Sequence, residues 1–362
     1  MIIGVSLRFI GNKERLVDWI YSVIEKNNIK GELFFDFFSG TASVGKFFKA
    51  KGYQVISSDL LYFSYVLQRA YIKNNTYPTF NRLINNIDIT STFLFADNYE
   101  LVIEYLNSLE GYEGFIFQNY APTKTEHLEK PRMYFTDENA KKIDAIRIKI
   151  EEWKEKEFIN EDEYFILLAT LIEAIGFFSN ILGVYGAFKK NWDRRALKPF
   201  KLKPISTIES QKEHFVFNQS SLDLLDKFKY DIIYLDPPYN HRQYAPNYHL
   251  LETIAKYDNP IIKGVSGMRE YKEQKSTFCN KVTALRDLET ICKSTNYKYI
   301  LLSYNNEGLM PQDDIVNIMS KYGDVKIEEY DYLRFKSNSN GDAKFKKFIK
   351  EQIYILKREN RR

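Results

Sequence analysis

Apolar residues fall along this chain in two kinds of pattern. Short solid runs occur at residues 33–35, 55–56, 215–217 and 232–235, each flanked by polar or glycine-containing segments. Longer stretches instead repeat at helical spacing. The segment GELFFDFFSGTASVGKFFKAKGYQVISSDL reads as a strand, a glycine turn, a helix near 44–50, and a second strand ending in Asp59. A similar pattern recurs in HFVFNQSSLDLLDKFKYDIIYLDPPY. Alternation of this kind predicts a parallel sheet joined by crossover helices.

The rest of the chain is organised around these two blocks. Leu16, Trp19, Ile20 and Ile24 recur at helical spacing after an N-terminal polar segment, so a helix is expected there. Between 75 and 205 the periodicity is helical, clearest at 139–153 and 163–181, with few strand signals. After the second block come a helical stretch at 248–257, a polar loop and an apolar run at 299–304. Two strand-like segments, 325–335 and 352–357, close the chain, joined by SNSNGDAKFKK as a long hairpin loop. The expected fold is a doubly wound α/β sheet formed by 1–74 and 206–362, interrupted by a mainly helical insertion at 75–205. No internal repeat or low-complexity tract is visible.

Composition narrows the class without deciding it. With 362 residues, 44% hydrophobic and 16% aromatic, the chain can bury one large core plus a sizeable insertion. No apolar run approaches the ~20 residues of a membrane span, and charge appears early in MIIGVSLRFIGNKERL, so a soluble, cytoplasmic protein is expected. Cys279 and Cys292 are too few for a zinc site or disulfide framework, and His127, His214, His241 and His249 lack ligand spacing, so no metal is expected. A net charge of +4 does not by itself identify a nucleic-acid partner; where the charge lies matters more.

Candidate chemistry lies at the strand ends. The turn from Asp36 through Phe38, Ser39, Gly40, Thr41, Ala42, Ser43, Val44 and Gly45 places small residues where a backbone approaches a ligand and then opens a helix. A nucleotide-like cofactor loop and a structural glycine turn both fit it. Asp59 stands where such folds place a ribose-binding acid, and also where it would cap a helix beginning at Leu60. Asp236-Pro237-Pro238-Tyr239 follows a buried-type strand directly, and ligand sites in open α/β sheets lie outside the carboxyl ends of strands. Two prolines stiffen the loop and keep Asp236 out of the helical region. An exocyclic amine has two hydrogens, which the Asp236 carboxylate and the Pro237 carbonyl can accept, while Tyr239 offers a ring face to a base lifted from its stack. A plain proline turn with an aromatic cap is the alternative.

The set Arg8-Phe9-Ile10-Gly11-Asn12-Lys13, Asp36-Phe37-Phe38-Ser39-Gly40 and Asp236-Pro237-Pro238-Tyr239 resembles the DNA adenine-N6 methyltransferases of bacterial restriction-modification systems, in the alpha-class motif order, over nearly the whole chain. The resemblance implies a class I methyltransferase fold with an inserted target-recognition domain, S-adenosyl-L-methionine as cofactor, and double-stranded DNA as substrate. A cognate restriction endonuclease acting on the same site would be a functional partner. It also implies that Phe9 and Lys13 hold the methionine end of the cofactor and that Asp36, Phe38, Ser39 and Gly40 line its backbone. Asp59 would then bind the ribose, Gln219 and Ser220 would border the adenine, and Asp236 would lie near both cofactor and target amine. Where the family loop reads Phe-x-Gly-x-Gly, this chain has Ala42 at the second glycine, which fits if φ there is negative.

Two further segments bear on the nucleic acid. Residues 183–203 carry seven Lys and Arg against the single Asp193, interleaved with Tyr185, Phe188, Trp192 and Phe200. Lys189, Lys190, Arg194, Arg195 and Lys198 are the candidates for phosphate contact, with the rings open to displaced bases; a solvated face is the alternative. The extension 240–249 resembles a subset of the same enzymes, so Arg242 joins the DNA-contact candidates unless this is a solvated loop. Residues 114–122 read as a buried strand or loop. Asp rather than Ser before the prolines argues against cytosine N4 as target, and the large helical insertion favours duplex DNA over RNA or a protein amide. A silent DNA-binding module would have no need of Lys13, Asp59 and an intact proline loop. The recognition sequence cannot be read from base-edge chemistry alone.

Overall fold

The computed structural model describes residues 9–87, 96–333 and 348–359. The chain divides into two compact units. The sheet unit contains Asn12–Leu60, Lys212–Tyr244 and the described part of Gln274–Arg362. The helical unit contains the described parts of Met1–Gly11 and Leu61–Gln211, together with Ala245–Glu273. It is therefore larger than the stretch 75–205 marked out by periodicity.

The strands of the sheet unit are β1 (Leu33–Asp36), β2 (Gln54–Ser58), β3 (Phe215–Phe217) and β4 (Tyr230–Leu235). The two-residue strands β5 (Ile262–Lys263) and β6 (Met268–Arg269) form a separate hairpin in the helical unit, and β7 (Tyr297–Asn305), β8 (Gly323–Leu333) and β9 (Phe348–Arg358) complete the main sheet. Its order is β3-β2-β1-β4-β7-β9-β8. The first five are parallel; β9 runs antiparallel between β7 and β8. This is the doubly wound, Rossmann-like sheet expected from the alternation of apolar runs and helical segments. The chain winds outward from β1 through β2 to β3 and then returns to place β4 on the other side of β1, so the switch point lies between β1 and β4.

Solid apolar runs form these strands because both faces of the sheet are covered. Phe34 stacks on Phe48 with ring centroids 3.9 Å apart. Phe48 belongs to α2 (Ser43–Ala50), the crossover between β1 and β2, while α1 (Val17–Lys26) buries Val17, Ile20, Val23 and Ile24 and ties Lys26 to Glu328 of β8 at 2.7 Å. Phe35 points the other way, stacking on Tyr230 at 4.8 Å within a core shared with Leu288, Ile291, Ile315 and Met319. Those last four lie on helices that the apolar pattern did not reveal.

The helical unit holds α3 (Tyr62–Gln68), α4 (Asn81–Ile84), α5 (Asn98–Ser108), α6 (Phe115–Tyr120), α7 (Asp137–Glu155), α8 (Glu161–Phe178) and α9 (Tyr244–Lys256), the last beginning one residue before the unit. In α8 thirteen of the eighteen positions are buried, ten of them consecutive from Glu163 to Ile172, which suits a central helix packed on α3 and α7. Its start is fixed by a capping box in which Asn160 accepts the Glu163 amide and Glu163 accepts the Asn160 amide. The helix stops at Phe178, short of 181, because Ile181 turns back into a bridge with Phe188.

Four expectations need correction. Residues 115–120 are helical rather than a strand or loop: Asp144, on α7, accepts the Ile116 and Phe117 amides at 2.9 and 2.8 Å and so caps α6 from a distance. The polar loop before 299 contains α10 (Lys281–Lys293), capped by Asn280 and burying Ala284, Leu288, Ile291 and Cys292. A further helix, α11 (Gln312–Met319), follows β7. The extension 240–249 is a loop only as far as Gln243, since α9 begins at Tyr244. Arg8 and the hairpin loop SNSNGDAKFKK lie outside the described residues.

Candidate active site

β1 and β4 end side by side, with Asp36 in register with Tyr234, so the two motif loops leave the sheet together at its switch point. The first is built by backbone geometry. Gly40 has φ +53° and Ala42 φ +60°, both left-handed. The Ala42 amide donates to the Ser39 carbonyl at 2.8 Å, and the Ser39 amide to Ser58 at the end of β2. Alanine at 42 thus does not have the negative φ expected of it; it takes the conformation glycine adopts freely, at a cost of about 1–2 kcal/mol, and is fully buried. The first turn of the helix after Asp59 is held by Glu252: the Tyr62 and Phe63 amides donate to its carboxylate at 3.1 and 3.0 Å. Asp59 accepts the Gly40 amide through Oδ2 at 2.8 Å, bracing the loop from the neighbouring strand end.

Asp36 lies at the root of this loop with 1% of its surface exposed. Its Oδ2 accepts the Gly45 amide at 3.0 Å, whereas Oδ1 and the nearby Ser39 hydroxyl are buried without a well-formed hydrogen bond among the described residues. Burial pushes the Asp36 carboxyl up to about 7; the Gly45 amide and the nearby Ser39 hydroxyl oppose this, and the negative charges of Asp236 and Asp59 add to it. Phe38 packs edge-on against Phe278 at 5.0 Å. Gln219 offers its carbonyl to the Ser58 hydroxyl at 2.8 Å, and Ser220 follows at the start of a short turn, so both lie at the end of β3 beside Asp59.

The second loop carries Asp236, Pro237, Pro238 and Tyr239. Asp236 keeps 17% of its side chain exposed, so it remains reachable. The Tyr239 hydroxyl donates to Asp236 Oδ1 at 2.8 Å, and Lys13 Nζ lies 3.4 Å from the same oxygen. Among the described residues, no hydrogen bond uses Asp236 Oδ2 or the Pro237 carbonyl. Burial raises the Asp236 carboxyl to about 6; Lys13 and the Tyr239 hydroxyl pull it down, and the Glu351 charge pushes it up. The Tyr239 backbone is pinned by the Leu309 amide at 3.0 Å, and its ring meets Tyr304 edge-on at 4.8 Å.

Lys13 links the second loop to β9 and is 4% exposed. Its ammonium donates to the Tyr239 hydroxyl at 2.6 Å and to Glu351 Oε2 at 3.3 Å. Burial alone would lower its pKa, but Asp236 and Glu351 outweigh that and raise it. The residue before it, Asn12, accepts the Ser43 hydroxyl at 2.9 Å. The sheet unit therefore assembles Lys13, Asp36, Phe38, Ser39, Gly40, Asp59, Gln219, Ser220 and the proline loop at one end of the sheet. Phe9 is counted in the helical unit, where it stacks on Tyr248 at 4.5 Å while the Ile10 amide donates to the Tyr248 hydroxyl. Ser303 and Glu351 belong to the site but were not singled out from sequence, and Asn12 was quoted in a motif without a role of its own. Glu351 sits in the polar stretch Lys350-Glu351-Gln352 of β9, so nothing in its local pattern marks it.

The basic segment of the helical unit is an ordered turn. Asn180 bonds the Met133 and Lys189 carbonyls and accepts the Asp193 amide. Asp193 is paired with Lys189 at 2.8 Å and Arg195 at 3.2 Å, while Lys190, Arg194 and Lys198 are exposed. Tyr185 and Phe200 are buried, so those two rings do not stand at the surface. Arg242 is exposed in the sheet unit. Among the described residues no group of three or more His, Cys, Asp or Glu is placed to hold a metal, and no helix is long and apolar enough to cross a membrane. His214 has a structural task, its Nδ1 accepting the Val55 amide.

A doubly wound sheet with one antiparallel strand inserted near its edge, and paired acidic loops at the β1/β4 switch point, has the architecture of a Rossmann-like methyltransferase. The chain belongs to the D12 class of N6 adenine-specific DNA methyltransferases, whose family profile matches residues 9–318. It is 41% identical over 358 residues to the Type II methyltransferase M.FokI of Planomicrobium okeanokoites, covering 98% of this chain and 53% of that protein. It is 37% identical over 357 residues to the modification methylase StsI of Streptococcus sanguinis, covering 98% and 52%. To the Type II methyltransferase M.NlaIII of Neisseria lactamica it is 38% identical over 356 residues, covering 97% and 99%. The chain thus spans about half the length of the first two relatives and nearly all of the third.

Proposed function

We propose that this chain transfers a methyl group from S-adenosyl-L-methionine to N6 of an adenine turned out of double-stranded DNA, modifying the site that a cognate restriction endonuclease would cut. The observation that carries this is the division of labour at Asp236: Oδ1 is engaged by Tyr239 and Lys13, while Oδ2 and the Pro237 carbonyl take no hydrogen bond among the described residues. An exocyclic amine needs two acceptors, and these two lie in one stiff loop.

The cofactor suits the groups at β1. Asp36 Oδ1 and the Ser39 hydroxyl are buried close together without a well-formed hydrogen bond, an arrangement that a ligand ammonium would complete, and Gly40 leaves the backbone open to close approach. Asp59, braced on Gly40, fits the ribose hydroxyls, Gln219 and Ser220 the adenine edge, and Lys13 and Phe9 the methionine end. When bound, S-adenosyl-L-methionine supplies an electrophilic methyl group on sulfur. Asp236 and Pro237 hold the target amine so that its lone pair faces that methyl, and they stabilise the charge that grows on nitrogen. No strong base is needed, because the proton leaves readily once nitrogen has become cationic. The helical unit, with Lys190, Arg194 and Lys198 on its surface, serves as the DNA-recognition part, assisted by Arg242 from the sheet unit.

Purified protein incubated with labelled cofactor and unmethylated bacterial DNA, followed by digestion to nucleosides, tests this directly. Label is expected in N6-methyldeoxyadenosine and absent with Asp236→Ala. Label in another nucleoside, or none in DNA while the cofactor still binds, would overturn the assignment.

A further inference from the structure

Glu351 lies on β9, beyond the stretch matched by the family profile, and is 5% exposed. It is held between two strands, opposite Asn305 of β7 and Tyr330 of β8. Its Oε2 is 3.3 Å from Lys13 Nζ and 3.4 Å from the Tyr239 hydroxyl. A buried acid in the interior of a sheet is unfavourable unless it is paired, and here its partner is the same ammonium that reaches Asp236.

We propose that Glu351 is a positioning residue for methyl transfer: by sharing Lys13 with Asp236, it keeps the ammonium from closing fully onto the Asp236 carboxylate. This rests on the methyltransferase reading of the proline loop. Lys13 has two acids and one hydroxyl to serve. With Glu351 ionised, the ammonium stays near 3.3–3.4 Å from each carboxylate and closest, at 2.6 Å, to the Tyr239 oxygen. Asp236 then keeps enough negative charge on Oδ2 to accept strongly from an amine. With Glu351 removed, Lys13 is free to move onto Asp236, neutralising the acceptor and drawing Oδ1 out of position.

The groups facing Asp236 set the sign of the effect. They are Lys13 ahead of α1, Tyr239 in its own loop, Glu351 on β9, Asp36 after β1, Tyr234 on β4, and Ser303 on β7 beside Tyr239. Removing the Glu351 charge takes away a like charge and strengthens the Lys13 pair. Both effects lower the proton affinity of Asp236, which burial otherwise raises.

Three measurements test this, with wild type and Asp236→Ala alongside. In Glu351→Gln the single-turnover transfer rate is expected to fall at least about tenfold, with its acid limb displaced to lower pH by about half a unit or more. In unliganded protein, the Asp236 carboxylate followed by 13C NMR is expected to titrate at lower pH in Glu351→Gln than in wild type. Glu351→Asp, which keeps the charge, is expected to recover the wild-type acid limb and part of the rate. An unchanged rate and unchanged titration in Glu351→Gln would overturn the inference. So would a loss accounted for by a smaller folded fraction alone. Failure of wild type to methylate DNA would instead count against the proposed function, which the carboxylate titration does not require.

Discussion

The side-chain oxygen of Asn12 accepts the Ser43 hydroxyl at 2.9 Å, fastening the segment before α1 to the first turn of α2. One residue later, Lys13 reaches Tyr239 and two acids across the end of the sheet. A short polar segment therefore bridges two loops that lie some two hundred residues apart in the chain.

Lys13→Ala leaves Asp236 and Glu351 buried together without their cation. A loss of about 3–5 kcal/mol is expected near neutral pH, the usual consequence of breaking a buried pair from one side. Because burial raises the Asp236 carboxyl and the Lys13 charge that opposes this is gone, protonation of Asp236 stabilises the variant, so its deficit should shrink as pH falls towards 5. Urea unfolding at pH 5 and pH 8 measures this; a deficit independent of pH would contradict it.

Asp36 is pushed to about 7 by burial, and an unfolded aspartate titrates near 4. Its folded pKa is the higher one, so its stabilising contribution is complete below the unfolded value and is lost as pH rises through about 7. Asp236, at about 6, acts in the same direction. The unliganded protein is expected to lose about 2–3 kcal/mol between pH 5 and 8 through Asp36. Asp36→Asn should flatten that dependence, and a cationic ligand should reduce it by favouring the carboxylate. Chemical unfolding of both proteins across this range decides the matter.

Ala42→Gly relieves a buried left-handed alanine. Glycine also gives the unfolded chain more freedom, so the two effects partly offset and a net gain of up to about 1 kcal/mol is expected. Thermal unfolding reads the gain. A loss would mean that the alanine methyl contributes more through packing than its backbone conformation costs.

Lys190, Arg194 and Lys198 are exposed, whereas Lys189 and Arg195 are engaged by Asp193. Replacing the first three with alanine should reduce the slope of log K against log salt by about 0.9 for each phosphate that is no longer neutralised. Replacing Lys189 should instead loosen the turn. Binding titrations on one duplex over a range of salt separate the two, and an unchanged slope in the triple variant would move the phosphate-binding surface elsewhere.

The parallel strands were legible because solid apolar runs such as Phe34-Phe35 require cover on both faces, and the motif loops were legible because each directly follows such a run. What escaped depends on partners distant in sequence. α6 is capped by Asp144, far along the chain, and nothing within 114–122 reports that acid. Glu351 joins the site only because β9 inserts between β7 and β8. The sign of φ at Ala42 was likewise set by the turn, against the usual preference of the residue. The periodicity of 75–205 marked most of the helical unit but not Ala245–Glu273, whose helix caps α3 through Glu252.

That last segment constrains any attempt to exchange the helical unit between relatives. The polypeptide passes between the units at residues 11–12, 60–61, 211–212, 244–245 and 273–274. A chimera exchanging only Leu61–Gln211 would set the Tyr62 and Phe63 amides against the other parent's residue in place of Glu252, and one exchanging only Ala245–Glu273 would also part Phe9 from a matched Tyr248. Two cassettes, Leu61–Gln211 and Ala245–Glu273, have to travel together, with the short Phe9–Gly11 piece matched to the second.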